Sequence, residues 1–114
     1  MPLIIREKNS DAIIAEGSPA DQTAQVFEGN WYFDPSVVDM THLEITERTY
    51  TCPYKGVCYW IDLDSPDAKV KNIAWVYNNP KPGFEMIKDR IAFYSRDTAG
   101  TVAVKQADGE PHPA

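Results

Sequence analysis

Along most of the chain apolar and polar residues alternate with a period of two, the spacing of a half-buried strand and not of a helix. Ala12 to Glu16 reads as a short strand closed by Gly17-Ser18-Pro19. Thr23 to Phe27 and Trp31 to Phe33 follow as a pair, and between them Glu28-Gly29-Asn30 supplies the Gly and Asn that a tight hairpin needs. Asp34-Pro35-Ser36 then has the shape of a capped turn or single 3₁₀ turn running to Asp39.

Leu43 to Thr51 is rich in β-branched residues and runs into Cys52-Pro53-Tyr54-Lys55-Gly56, a turn set by Pro and freed by Gly. Beyond it, Val57, Tyr59, Ile61 and Leu63 share one face of a strand, with Cys58, Trp60 and Asp62 on the other, and Asp64-Ser65-Pro66-Asp67 closes the hairpin. In Val70 to Tyr77 both alternating sets are apolar: Ile73, Trp75 and Tyr77 on one side, Ala74 and Val76 on the other. A strand apolar on both sides belongs in the middle of a covered sheet. Asn78 to Gly83 is extended by its prolines, Phe84 to Lys88 has room for one helical turn, and Arg90 to Tyr94 and Val102 to Lys105 complete the series. The pattern predicts a mainly β, single compact domain of about eight short, mostly antiparallel strands, with one short helix near residues 83–88, arranged as a meander, barrel or sandwich. Residues 1–106 form that β-rich domain. Residues 107–114, with Gly109, Pro111 and Pro113, read as a flexible C-terminal tail, which removes His112 from consideration as chemistry.

Composition narrows the function classes. At 114 residues with 43% hydrophobic and 25% charged side chains, the chain can bury a core without disulfide staples, and it is too short for a two-domain enzyme. The net charge of −6 divides unevenly, −8 over residues 1–68 and +4 over residues 69–105. That basic stretch is too sparse for a nucleic-acid stripe, and the acidic first half would repel phosphate backbones, so no nucleic-acid partner is expected. No apolar run approaches the roughly 20 residues of a membrane span. The start, Met1-Pro2-Leu3-Ile4-Ile5-Arg6, lacks the basic region and cleavage site of a signal peptide. A cytoplasmic domain with no membrane partner is expected, and association as a homodimer is left open.

Several motifs together, in order and spacing, carry a resemblance: Thr51-Cys52-Pro53-Tyr54-Lys55-Gly56, the Tyr59-Trp60 pair, Ile73-Ala74-Trp75-Val76-Tyr77 leading into Pro80 and Pro82, and Ile91-Ala92-Phe93-Tyr94. With Tyr32-Phe33 before Pro35 and Asp39, they make residues 10–97 resemble the domain of unknown function 427 family. The resemblance implies a small, stand-alone, mainly β domain with one short helix. It also brings a nucleotidyltransferase-like label and a structural grouping near β-rich zinc-binding folds. The chain has Asp62 and Asp64 at the spacing of paired metal carboxylates but no Gly-Ser motif before them, and it has no Cys-x-x-Cys pair.

The candidate chemistry centres on Cys52 to Gly56. A thiol near an ammonium has a depressed pKa and nucleophilic character, which makes Cys52 a candidate catalytic residue; the competing reading is a small buried hydrophobe. Lys55 is a candidate anion-binding point charge or, with Asp39, an acid/base pair. Tyr54, Tyr59, Trp60, Trp75 and Tyr77 fall within 24 residues and suit a concave site that stacks a planar ligand. In a domain this small, the same rings serve equally as core. Arg48, with Glu47, lies beside the turn as a further ligand contact or an ion-pair partner. Cys52-x5-Cys58 with His42 lacks the paired spacing of structural zinc, so neither a metal nor a cofactor is expected. Three functions follow: binding of an unidentified small anionic or planar molecule in an aromatic groove beside the turn, a small enzyme using Cys52 or Lys55 and Asp39, or a protein-interaction module.

Overall fold

The computed structural model describes residues 2–105, so the expected tail at 107–114 lies outside the described residues. Among the described residues nine strands pair into two antiparallel sheets: β1 (Leu3–Glu7), β2 (Ile13–Gly17), β3 (Ala24–Phe27), β4 (Asn30–Phe33), β5 (Leu43–Cys52), β6 (Gly56–Asp64), β7 (Lys69–Val76), β8 (Ile91–Phe93) and β9 (Thr101–Lys105). A six-stranded sheet runs β3-β4-β8-β7-β6-β5, and a three-stranded sheet runs β2-β1-β9. The domain is therefore mainly β, as the pattern predicts, and β7 sits inside the large sheet between β6 and β8. The helical turn near residues 83–88 is a single 3₁₀ turn, Glu85–Ile87, and a second 3₁₀ turn at Pro35–Val37 is capped by the Asp34 side chain accepting from the Ser36 N–H.

The strand that periodicity missed is β1. Leu3, Ile4 and Ile5 are all buried, so the segment reads as a continuous apolar run with no alternation to betray it. Its position explains the burial, because β1 is the middle strand of the small sheet, hydrogen-bonded to β2 on one side and β9 on the other.

The principal core lies where the two sheets face each other. Leu3, Ile5, Ile14 and Ala15 from the small sheet pack with Phe33, Ile61, Leu63, Ala74, Val76 and Phe93 from the large one. Phe33 and Phe93 meet edge-on, with centroids 5.8 Å apart at 78°, the preferred geometry of an aromatic pair. The reverse face of the large sheet gathers a second apolar cluster: Tyr32, Cys52, Cys58, Trp75, Tyr77, Ile87 and Ala92.

One facing assignment needs correction. Ile73 joins the principal core and not the Trp75 side. Asn72 has a positive φ of 60°, and the β6–β7 register shifts between Ile61 and Leu63, which resets the alternation at that point. On β6, Ile61 and Leu63 are buried whereas Val57 and Tyr59, of the same parity, are exposed. The face is continuous, but the principal core covers only its far half.

Candidate functional site

One row of paired residues builds the reverse face. Tyr32 on β4 pairs with Ala92 on β8, Ala92 pairs with Trp75 on β7, and Trp75 pairs with Trp60 on β6. Ala92 is fully buried and too small to fill its place in the row. The flanking rings lean over it: Tyr32 and Trp75 meet edge-on at 6.2 Å, and the Trp75 indole Nε1–H donates to the Tyr32 hydroxyl at 3.3 Å. Trp60 stands against Trp75 at 6.1 Å and 75°, Tyr94 against Trp75 at 4.8 Å and 62°, and Tyr50 against Trp60 at 6.3 Å. Inclined rings leave space between them that parallel stacking would close. The result is a groove of about 180 Å³ lined by Tyr32, Tyr50, Trp60, Trp75, Tyr77 and Tyr94, with Glu28, Asn30, Lys55 and Cys58. Drug-sized pockets start near 300 Å³, so this groove admits only a small molecule or a single side chain.

The polar part of the groove comes from two turns. Lys55 leaves the Cys52–Gly56 turn and pairs with Glu28 from the β3–β4 hairpin turn. The lysine side chain is 14% exposed and the glutamate 51%, so the pair has a partly buried cationic end and an accessible anionic end. Burial works against the ammonium charge, but the Glu28 carboxylate outweighs it and raises the Lys55 pKa, which keeps the group charged. Gly29, at φ +82°, provides the left-handed backbone that brings Glu28 round the hairpin.

The Cys52–Gly56 turn is fastened from outside. The Lys81 N–H donates to the Lys55 carbonyl at 2.9 Å, and the Lys81 ammonium donates to the Pro53 carbonyl at 2.9 Å. Inside the turn the Cys52 sulfur accepts the Lys55 N–H at 3.4 Å. That bond, with the Tyr54 N–H and the Lys55 charge, lowers the Cys52 pKa despite burial. Cys58 behaves oppositely: burial raises its pKa and outweighs a hydrogen bond with Tyr77, so the thiol stays protonated. Both cysteines are free and buried.

Of the residues marked by sequence, Lys55, Trp60, Trp75 and Tyr77 converge on the groove. Cys52 lies under the turn in the same apolar cluster. Tyr54 is 75% exposed on the outside of the turn, and Tyr59 has the opposite parity from Trp60 and lies off the groove lining. Arg48 is spoken for elsewhere, in an ion pair with Asp62 and a 2.8 Å hydrogen bond to Asn72. Asp39 is not brought to Lys55: its carboxylate accepts from the Thr41 N–H and hydroxyl, which lowers its pKa, and it borders a separate cleft with His42 and Glu7.

The residues that local reasoning passed over are Glu28, Asn30, Tyr32, Tyr50, Cys58 and Tyr94. Tyr32 and Tyr94 had a signal, as aromatics of the same row or its continuation. Glu28 had none, because its partner is 27 residues away and only the sheet order joins the two turns. Asp62 and Asp64 are both engaged with cations, Arg48 and Lys69 respectively. Among the described residues no group of three or more His, Cys, Asp or Glu is arranged to hold a metal ion, and no helix is long and apolar enough to cross a membrane.

The architecture recurs in a solved structure. The crystal structure of a Mis18 'Yippee-like' domain superposes with a TM-score of 0.64, covering 95% of this chain and 100% of that one at 12% sequence identity. At that identity the likeness establishes the fold alone. No curated protein matches the chain in sequence. The family described as Domain of unknown function (DUF427) matches residues 10–105, which takes in every strand of the large sheet and both turns that meet at the groove. The chain therefore belongs to the DUF427 family.

Proposed function

We propose that this domain binds a small planar ligand in the groove between Trp60, Trp75 and Tyr94, with the polar edge of that ligand turned toward Lys55. The observation that carries this reading is the clustering of inclined rings beside a partly buried, charged lysine at one open concavity. Small-molecule sites combine apolar walls with a few placed polar groups. A simple anion is a poorer fit than a planar molecule, because Glu28 already balances the Lys55 charge and an anion would have to displace it.

The direct test is the indole ¹⁵N–¹H resonances of Trp60 and Trp75, assigned by single substitutions and followed while millimolar planar one- and two-ring compounds are added. Saturable shifts confined to these two indoles support the reading. Resonances that no planar compound moves would overturn it.

A second reading, thiol chemistry at Cys52, has its own support in the Lys55 N–H bond and the lowered pKa. Its test is alkylation by iodoacetamide against pH, with Cys52 and Cys58 read separately by peptide mass spectrometry. Nucleophilic chemistry requires Cys52 to react well below pH ~8 while Cys58 stays inert. Equal inertness of both leaves Cys52 a packing residue.

A further inference from the structure

The Glu28–Lys55 pair has a geometry that restricts what the polar edge of the ligand can be. Glu28 uses one carboxylate oxygen, Oε1, on the Lys55 ammonium, which leaves the other oxygen available to accept. One of the three ammonium donors goes to Glu28, which leaves the others for a ligand. Side by side at the end of the groove are thus an acceptor carrying negative charge and a donor carrying positive charge.

A bare anion would satisfy the donor and repel the acceptor, and a bare cation would do the reverse. Either would have to displace one member of a pair whose charges already balance each other. A neutral edge carrying an N–H donor next to a carbonyl acceptor satisfies both at once and leaves the pair intact. The groove volume of about 180 Å³ and its ring walls require that edge to belong to a flat molecule of one or two fused rings. Resting on the planar-ligand reading above, we infer that the ligand is an uncharged planar heterocycle of the purine type, read along a ring edge that presents N–H beside C=O. The N–H donates to Glu28 and the carbonyl accepts from Lys55. Hydrogen bonds to charged groups are the strong ones, and a ligand lacking one partner leaves the protein group unpaired.

Two xanthines that differ by one methyl group isolate the edge. Theophylline carries a ring N–H next to a carbonyl; in caffeine the same nitrogen is methylated, with the ring faces almost unchanged. Tryptophan fluorescence quenching, checked by calorimetry, should give theophylline at least about a tenfold advantage over caffeine. The advantage should vanish in Glu28→Ala, a change on an exposed turn that leaves both apolar clusters untouched. Caffeine binding as well as theophylline overturns the edge assignment while the groove remains a planar-ligand site. An advantage that survives Glu28→Ala overturns it too, because the discrimination then comes from another group. If neither xanthine binds although other planar compounds still shift the Trp60 and Trp75 indoles, the edge assignment fails alone; if no planar compound shifts them, the planar-ligand reading fails with it.

Discussion

The two faces of the large sheet are built by the same strands and have opposite chemistry. β4 sends Trp31 and Phe33 to the principal core and Tyr32 to the other side; β8 sends Ile91 and Phe93 one way and Ala92 the other; β7 divides Ala74 and Val76 from Trp75. The inner face is Phe, Trp, Ile, Leu, Val and Ala packed against a second sheet. The outer face is Tyr, Trp and Cys with a hydroxyl, an indole N–H and an ammonium among the rings, and among the described residues no second sheet covers it. A period of two therefore sorts the sealed aliphatic core to one side and the polar aromatics to the other, where the proposed site lies. Aromatic residues that carry a polar atom can line a surface in contact with water, whereas the aliphatic face has to be sealed.

If that division is right, the largest effect of any single change belongs to the sealed face. Phe93→Ala removes a fully buried ring from the contact with Phe33 and should cost about 3–5 kcal/mol in urea denaturation. Trp60→Ala, at a half-buried position on the open face, should cost well under half of that. Equal losses would mean that the groove is a second core and not a site. Read by ligand binding the ranking inverts. Trp60→Ala should weaken a planar ligand by about tenfold or more, as for loss of one stacking partner. Tyr54→Ala and Tyr59→Phe, both off the groove, should leave affinity unchanged.

Alkaline pH separates the faces more gently. Burial raises the pKa of Cys58 from 9.0 and those of Tyr32 and Tyr77 from 10.0, all on the open face. In each case the folded protein keeps a proton that the unfolded chain releases, so the stabilisation is whole below pH 9.0 and is lost as the pH climbs past the ordinary values through the raised ones. Cys52 acts in the other direction: with its pKa lowered, the folded state gains stability as the pH rises toward 9.0. The urea midpoint should therefore hold or rise slightly up to about pH 9 and fall beyond it, following the sign of each raised group. Tyr77→Phe should flatten the fall, and a midpoint independent of pH in that range would show that these groups are not buried in solution. The smallest effect belongs to Arg48→Ala. The ion pair with Asp62 is 43% exposed on the arginine side, so its loss should cost less than about 1 kcal/mol and leave ligand affinity unchanged. A marked loss of binding instead would return Arg48 to the site.

Much of this architecture is legible without coordinates. Alternation located eight of the nine strands, because a strand exposed on one side announces itself by contrast between neighbours. It could not show β1, where Leu3-Ile4-Ile5 is buried throughout, nor the change of facing at Ile73, which depends on one residue in a left-handed conformation, Asn72. The CPYKG turn and the two tryptophans were visible as chemistry, and Lys55, Trp60, Trp75 and Tyr77 do meet at one groove. Tyr54 and Tyr59 are close to them along the chain but not in space. Neighbours in a strand point to opposite faces, so proximity in sequence is a poor guide to company within a sheet.

The sequence by itself determined the β class, the turns and the sorting of residues by face, since these depend on φ preferences and on a repeat of two that each strand carries locally. Tertiary structure alone decided which strands became neighbours, and with that the partner of Lys55. Glu28 reaches it because β4 pairs with β8 and β8 with β7, an order set by how the sheets close over Phe33 and Phe93 and by nothing in either turn. The charge balance of the groove is a property of that long-range packing.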